Sequence, residues 1–410
     1  MSPPLARLRM DLDFMQSPIP DRPGLLVRDP HQYSDATLVI PPPLVECLRF
    51  FNGSAVPGDL HSHLTKISGG ADVAEIEQHL MDTLRDCGFL DDDVYRRLRE
   101  EKHRAFAEAP VREPSHSGGA YPGEPEPLRQ AFSRYLEEAP APEIEDGLIG
   151  IAAPHVSPEG GRRMYGAAYK ALAGELRDRV FVILGTSHYG DAGRFGLTRK
   201  PFRTPYGDAP TEVELVDRLA SAAPAAVTME DYCHSTEHSI EFQVVFLQHL
   251  FGPDVRILPI LCGSYGQSVY SGGMPEDDEN VRSFLSALRD LAAVEGDRLF
   301  WILGVDLAHM GRRYGDDFPA VANQGKMAEV AARDEKRASL INGPDAEGFW
   351  GLIRENEDDL KWCGSAPFYT MMRAVPNVRS RLLGYDQWNI DEQSVVTFGA
   401  MAFYDGSTRP

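Results

Sequence analysis

Four near-continuous apolar runs constrain this chain more than anything else in its sequence: residues 148–153, 180–184, 255–261 and 299–305. A strand with one face in water alternates apolar and polar residues, whereas a strand buried on both faces is free to be apolar throughout. Helical stretches separate the runs, among them MYGAAYKALAGELRD at 164–178 and ENVRSFLSALRDLAAVEG at 279–296. The alternation predicts an α/β fold with a mainly parallel central sheet and helices on both faces.

The residues at the ends of the runs are more specific. The first run leads into Ala-Pro-His155, the second into Gly-Thr-Ser-His188, and the fourth into Val-Asp306-Leu-Ala-His309. Ligands of open parallel sheets bind beyond the carboxyl ends of the strands. Three runs therefore each carry a histidine, and one also an aspartate, to the edge where a site forms. One histidine beside a strand is ordinarily structural; three at equivalent places point to a shared cleft, provided that the strands are neighbours.

A further cluster reads Asp231-Tyr-Cys-His234-Ser-Thr-Glu237-His238-Ser-Ile-Glu241. On a continuous helix, His234, His238, Glu241 and Val245 share one stripe, opposite the apolar Ile240, Val244, Leu247 and Phe251. Neutral imidazole is both a common metal ligand and the side chain best matched to proton transfer near neutral pH. The bland alternative is a helix start that uses acidic residues against its dipole. His234-x-x-Glu237-His238 also has the spacing of an inverted zinc-protease signature, so a zinc hydrolase is an alternative enzyme class. No P-loop, strand-attached GxGxxG or G-x-S-x-G elbow is present. Cys363 reads either as a reactive thiol or as a small buried residue near a helix start.

The first hundred residues have a different style. Pro41-Pro42-Pro43 stops a strand-like ATLVI. Ile76, Leu80, Leu84 and Cys87 recur at helical spacing before Gly88, and a charged helix is expected over 91–110. The division expected is 1–105 and 106–410. The net charge of −21 repels phosphate backbones and anionic lipid heads, which argues against nucleic acid and membrane surfaces as partners. Five scattered cysteines, with neither CxxC spacing nor a framework, fit a reducing cytoplasm, and the N-terminus lacks the pattern of a signal peptide.

Arg112-Glu-Pro-Ser-His116-Ser-Gly-Gly-Ala-Tyr121, Ala153-Pro-His155, Leu184-Gly-Thr-Ser-His188, Glu237-His238-Ser-Ile-Glu241 and Gly304-Val-Asp306-Leu-Ala-His309-Met-Gly311 occur in the order found in Memo proteins, which the chain resembles. In bacteria and archaea these are protein B of the AmmeMemoRadiSam set. Cys363-Gly-Ser-Ala-Pro-Phe and the closing 394–404 segment are similar to the family's C-terminal landmarks, so the resemblance spans about 112–407. It implies a fold similar to class III extradiol dioxygenases. It also implies a metal, Fe(II) or Cu, on His155 and His188, with His238 in the same pocket. The family's cysteine ligand falls on Ala308, which leaves Asp306, His309 or His238 as substitutes, Zn as another cation, and an empty site as the remaining alternative. Val156-Ser-Pro-Glu-Gly-Gly also departs from the family's Ala-Gly-Tyr.

If the cleft is catalytic, the reading is metal-assisted redox chemistry on an unknown small molecule or peptide. His238, oriented by Glu241, is the acid/base, with Asp306 and His309 lining the open coordination side. The competing class is a non-catalytic module that binds a peptide or small ligand in the same cleft. A radical-SAM partner is implied by family association alone. The N-terminal part weakly resembles PqqD-like winged-helix domains that hold peptides; a plain helical extension is the alternative.

Overall fold

Two units, Met1–Glu108 and Ala109–Pro410, divide the chain in a computed structural model that describes residues 3–172, 174–341 and 345–406. The first contains an antiparallel sheet of β1 (Asp13–Gln16), β2 (Leu25–Arg28) and β3 (Thr37–Ile40). Next come the helices α1 (Pro42–Val45), α2 (Pro57–Ile67), α3 (Ala74–Asp86) and α4 (Asp93–Glu108). Cys47, Leu60, Leu84 and Phe89 are wholly buried in its core. Gly88 ends α3 at φ +66°, a conformation that costs glycine nothing. One expectation needed revision here, and two short strands went unforeseen. Ile76 is 47% exposed rather than on the buried face of α3, and β1 and β2, four residues each, carry too little pattern to be read from sequence.

In the second unit, α5 (Pro125–Glu138), β4 (Leu148–Ala153), α6 (Pro158–Tyr169), β5 (Val180–Thr186) and β6 (Phe195–Leu197) come first. A small hairpin, β7 (Phe202–Thr204) and β8 (Gly207–Ala209), precedes α7 (Val213–Ala222) and β9 (Val227–Met229). Next are α8 (Cys233–Thr236), α9 (His238–Phe251), β10 (Arg256–Cys262), α10 (Gly266–Ser271) and α11 (Glu279–Glu295). The chain continues through β11 (Leu299–Gly304), β12 (His309–Gly311), α12 (Met327–Ser339), α13 (Ala346–Arg354) and α14 (Ser365–Ala374). It closes with the long hairpin β13 (Val378–Asp391) and β14 (Ser394–Asp405). The helix expected over 164–178 is shorter: α6 stops at Tyr169, a 3-10 turn spans Gly174–Asp178, and residue 173 lies outside the described residues.

The four apolar runs become four adjacent parallel strands in the order β4-β11-β5-β10. Antiparallel pairings flank them, β14 beside β4 and β6 beside β10, so the parallel character belongs to the centre of the sheet. One face is covered by α5, α6 and α9 and the other by α7, α11, α12, α13 and α14, each with its own apolar core. Burial on both faces is why the central strands could dispense with polar residues.

Two glycines let α9 reach the site edge. A Cβ at Gly304, the last residue of β11, would lie 2.0 Å from the Ser239 carbonyl oxygen; one at Gly185 in β5 would lie 2.6 Å from Ile240 Cγ1. The start of α9 thus sits directly on the carboxyl ends of β5 and β11. Ser239 Oγ donates to the Thr186 carbonyl (3.0 Å) and Gln243 Nε2 to that of Pro154 (2.8 Å), which fastens the helix across β5 and β4.

Candidate metal centre

Because β4 and β5 flank β11, the residues just beyond these strands meet at one edge. His155, His188 and His238 each offer a ring nitrogen, and the three atoms lie within 4.8 Å of one another. The ring centroids are 5.0 Å apart for His155–His188, 5.1 Å for His155–His238 and 5.0 Å for His188–His238. His155 is buried, whereas the side chains of His188 and His238 are about a quarter exposed (25% and 27%), so the cluster opens on their side.

Two of the imidazoles are held by Nδ1, and the third stands beside the same carboxylate. His155 Nδ1 donates to the Gly304 carbonyl at 3.0 Å. A carbonyl only accepts, so the proton sits on Nδ1 and the lone pair on Nε2. His188 Nδ1 lies 3.0 and 3.1 Å from the two Glu237 oxygens, and His238 Nδ1 lies 3.3 Å from Glu237 Oε1. One carboxylate therefore holds His188 and stands beside His238, the kind of backing that orients metal-bound histidines. Glu237 also accepts the backbone N–H of His188 (3.0 Å), His238 (2.9 Å) and Ser239 (3.0 Å). It is the N-cap of α9, with extended backbone at φ −78° and ψ 131°.

That extended residue breaks the helix on which the zinc-hydrolase alternative depends. His234 lies on α8 and His238 opens α9, so the two do not share a stripe. His234 is buried, its Nε2 donates to the Gly196 carbonyl (3.0 Å), and it is not in the histidine cluster. Glu241 is likewise turned from His238 to other partners. It pairs with Arg112 in the interior, both side chains having no exposure, and accepts from Tyr121 Oη (2.5 Å) and the backbone of His116 (3.1 Å). His116 Nδ1 stands 3.0 Å from Glu241 Oε2, and its ring centroid is 5.5 Å from that of His238. Arg112 also donates to the carbonyls of His234 (2.7 Å) and Glu237 (2.9 Å), so it clamps both sides of the helix break.

Asp306 Oδ1 accepts the N–H of His155 (2.9 Å) and of Val156 (3.3 Å), and Oδ2 lies 3.5 Å from His155 Nε2. His309 stands apart from the cluster: its Nδ1 faces the carbonyls of Leu307 (3.1 Å) and Lys361 (3.2 Å). Ala308 is buried, and its N–H donates to Thr397 Oγ1 (2.8 Å). Cys363, which sequence reasoning left undecided, places Sγ 3.3 Å from His155 Nε2. No local motif signals that approach, because it depends on the loop before α14 crossing the ends of β5 and β11.

The electrostatics suit cation binding. Burial, reinforced by the neighbouring His188 and His238, holds His155 well below its ordinary value; burial takes His238 down to about 3 against the pull of Glu237. Both are neutral at pH 7, the form that ligates a metal. Burial also opposes charge on His188, but Glu237 outweighs it and raises that group. Burial alone would raise Glu237, yet His188 and the N–H donors hold it well below the carboxylate range. Asp306 is pushed up to about 7 by burial, opposed by its two N–H donors. His309 is lowered to about 4 by burial and then by His188. Three converging imidazoles, two with Nδ1 committed to an acceptor, fit a borderline cation such as Fe²⁺, Cu or Zn²⁺.

Known proteins are similar to this chain in sequence. A MEMO1 family protein of Aquifex aeolicus is 26% identical over 385 residues, covering 92% of this chain and 96% of its own. A second, from Methanopyrus kandleri, is 33% identical over 310 residues, with 72% and 99% covered. A third, from Thermus thermophilus, is 28% identical over 293 residues, with 71% and 78% covered. A family model described as Memo-like protein matches residues 112–402, more than half of the chain and all three histidines of the cluster, and this protein therefore belongs to the Memo-like family.

Proposed function

We propose that this protein is a metalloprotein in which His155, His188 and His238 together hold one Fe(II) or Cu ion for redox chemistry on a small molecule or peptide. The observation that carries the reading is the convergence of three ring nitrogens within 4.8 Å of one another, with two of the rings held by Nδ1. A redox metal so held would supply one-electron chemistry; the chain supplies the rest. Glu237 and the Gly304 carbonyl fix the ring orientations. Asp306, with its value near 7, holds or releases a proton at Oδ2 beside His155. The exposed sides of His188 and His238 leave room for a substrate. The fold similar to class III extradiol dioxygenases that the family resemblance implies would agree with this chemistry, and five free cysteines agree with a reducing cytoplasm. Among the described residues no helix is long and apolar enough to cross a membrane. A radical-SAM partner and a peptide-holding role for the first unit extend the proposal through family resemblance.

The competing reading, a non-catalytic module that binds its ligand in the same cleft, is favoured by Ala308 at the place where the resemblance puts a cysteine ligand. Metal analysis of anaerobically purified protein and of a His155→Ala/His188→Ala variant separates the two. Near-stoichiometric iron or copper that disappears in the variant supports the metalloprotein. A wild type that is empty and takes up neither Fe²⁺, Cu⁺ nor Zn²⁺ leaves the binding module.

A further inference from the structure

We propose that His116 is a substrate-binding residue of the same cleft, whose Nε2 accepts a hydrogen bond from a hydroxyl or amine that the ligand carries beside the metal. The inference rests on the metalloprotein reading and concerns a side chain outside the three-histidine cluster. The ring centroid of His116 stands 5.5 Å from that of His238, one of the two cluster rings that are partly exposed. Its own side chain is 25% exposed, so the open sides of the two rings adjoin. Phe242, one turn along α9 from His238, meets the His116 ring nearly at right angles (79°) with centroids 5.6 Å apart, which limits how the imidazole can turn.

The hydrogen bonds around the ring decide which nitrogen can accept. Nδ1 lies 3.0 Å from Oε2 of Glu241, a buried carboxylate whose charge Arg112 balances. It is equally close, 3.0 Å, to Ser115 Oγ, which accepts from Arg112 Nη2 (3.0 Å) and donates its own hydrogen to Glu241 Oε2 (3.1 Å). Both neighbours of Nδ1 therefore act as acceptors toward it, which places the proton on Nδ1 and the lone pair on Nε2. Nε2 has no partner among the described residues and is accessible rather than sealed in the interior. The carboxylate that helical spacing assigned to His238 thus orients a different ring. His116 is not among the residues whose nitrogens converge on the ion site, so it acts on what the ion holds. It favours ligands with an O–H or N–H over those in which an alkyl group replaces that hydrogen, because the alkyl group leaves the acceptor unpaired.

Imidazole and 1-methylimidazole, titrated into full-length protein loaded anaerobically with Co²⁺, test the proposal. Both bind a metal through the same kind of nitrogen, and only the first keeps an N–H on its far side. Binding is followed in the visible ligand-field bands of the cobalt. The affinity ratio of imidazole to 1-methylimidazole is expected to be at least about threefold higher in wild type than in His116→Phe and in His116→Leu, the low end of what one hydrogen bond contributes. The cobalt bands of each variant before titration show that it is folded and still binds through its histidines. A ratio that is unchanged in both variants, or a cobalt-loaded wild type that takes up neither probe, overturns the role of His116. Cobalt that fails to bind wild type at all overturns the metal centre, and the role of His116 with it.

Discussion

Replacing Arg112 with methionine removes a guanidinium from the interior while approximately keeping its length. Glu241, with no exposure, loses its only cationic partner among the described residues except for His116, whose charge depends on protonation. The carbonyls of His234 and Glu237 lose their donors at 2.7 and 2.9 Å, and Ser115 Oγ loses one at 3.0 Å. Removing one partner of a buried pair costs about 3–5 kcal/mol, because the other charge is left uncompensated. Tyr121 and His116 still donate to Glu241, which places Arg112→Met near the lower end, about 3 kcal/mol, or roughly a 150-fold change in the folded-to-unfolded ratio. All four tryptophans, Trp301, Trp350, Trp362 and Trp388, lie in the 109–410 unit, so tryptophan fluorescence in urea follows that unit selectively. Adding Glu241→Gln to Arg112→Met removes the stranded charge, and the double variant is expected to recover part of the loss. A single variant within about 1 kcal/mol of wild type, or a double variant less stable than the single by the full cost of Glu241→Gln alone, would refute the argument.

Glu237→Gln keeps the shape of the cap but offers one acceptor oxygen where two rings and three N–H groups share two; metal affinity is expected to fall about 10–100-fold in a chelator competition, and unchanged affinity would remove Glu237 from the centre. His234→Gln is expected to leave metal content at the wild-type level, since His234 is committed to Gly196; loss of metal would restore the zinc-hydrolase alternative. The metal-free protein is expected to be more stable at about pH 8.5 than at about pH 5.5. Burial holds His155, His234, His238 and His309 below 6.5, so at about pH 5.5 the unfolded chain binds more protons, a disadvantage to the fold that vanishes above 6.5. These four outweigh Asp306 and His188, which act in the opposite direction. Asp306 is raised from 3.8 to about 7, so the native state holds its proton more tightly and loses stability as pH rises through that value. His188 is raised above 6.5, so its contribution, fully present below 6.5, is also lost as pH rises through its folded value, while metal uptake improves over the same window. Urea transitions of chelator-treated protein that are equal at the two pH values, or that show greater stability at the lower one, contradict the assignment of the lowered histidines.

The central sheet was legible because burial on both faces writes itself into sequence as unbroken apolar runs, and the runs 148–153, 180–184, 255–261 and 299–305 became adjacent strands. The β13–β14 hairpin was recognised only as a landmark: its first strand is half solvated and the pairing is bulged, without the run that marks the centre. At the site, the strand-end position drew attention to His155 and His188, and both meet His238. The division of labour between the two glutamates was not legible. Helical spacing assigned Glu241 to His238, but one extended residue at Glu237 shifts the stripe and gives the rings to the cap instead. Cys363 comes from a segment more than 200 residues from His155, and no local pattern encodes such a meeting.

The break before α9 ties the start of that helix to the assembly of the histidines. Glu237 ends one helical segment, begins the next and braces two rings, so none of these can form at full strength without the others. Inserting a single residue just after Glu237 would turn the cap by about 100° around the axis relative to His238 and the rest of α9, so that its carboxylate no longer stands behind both rings. If the proposed centre binds its ion, metal capture would be a sensitive clock of folding: during refolding, the ion would be taken up at full affinity only after α9 has initiated at the right residue and settled on β5 and β11.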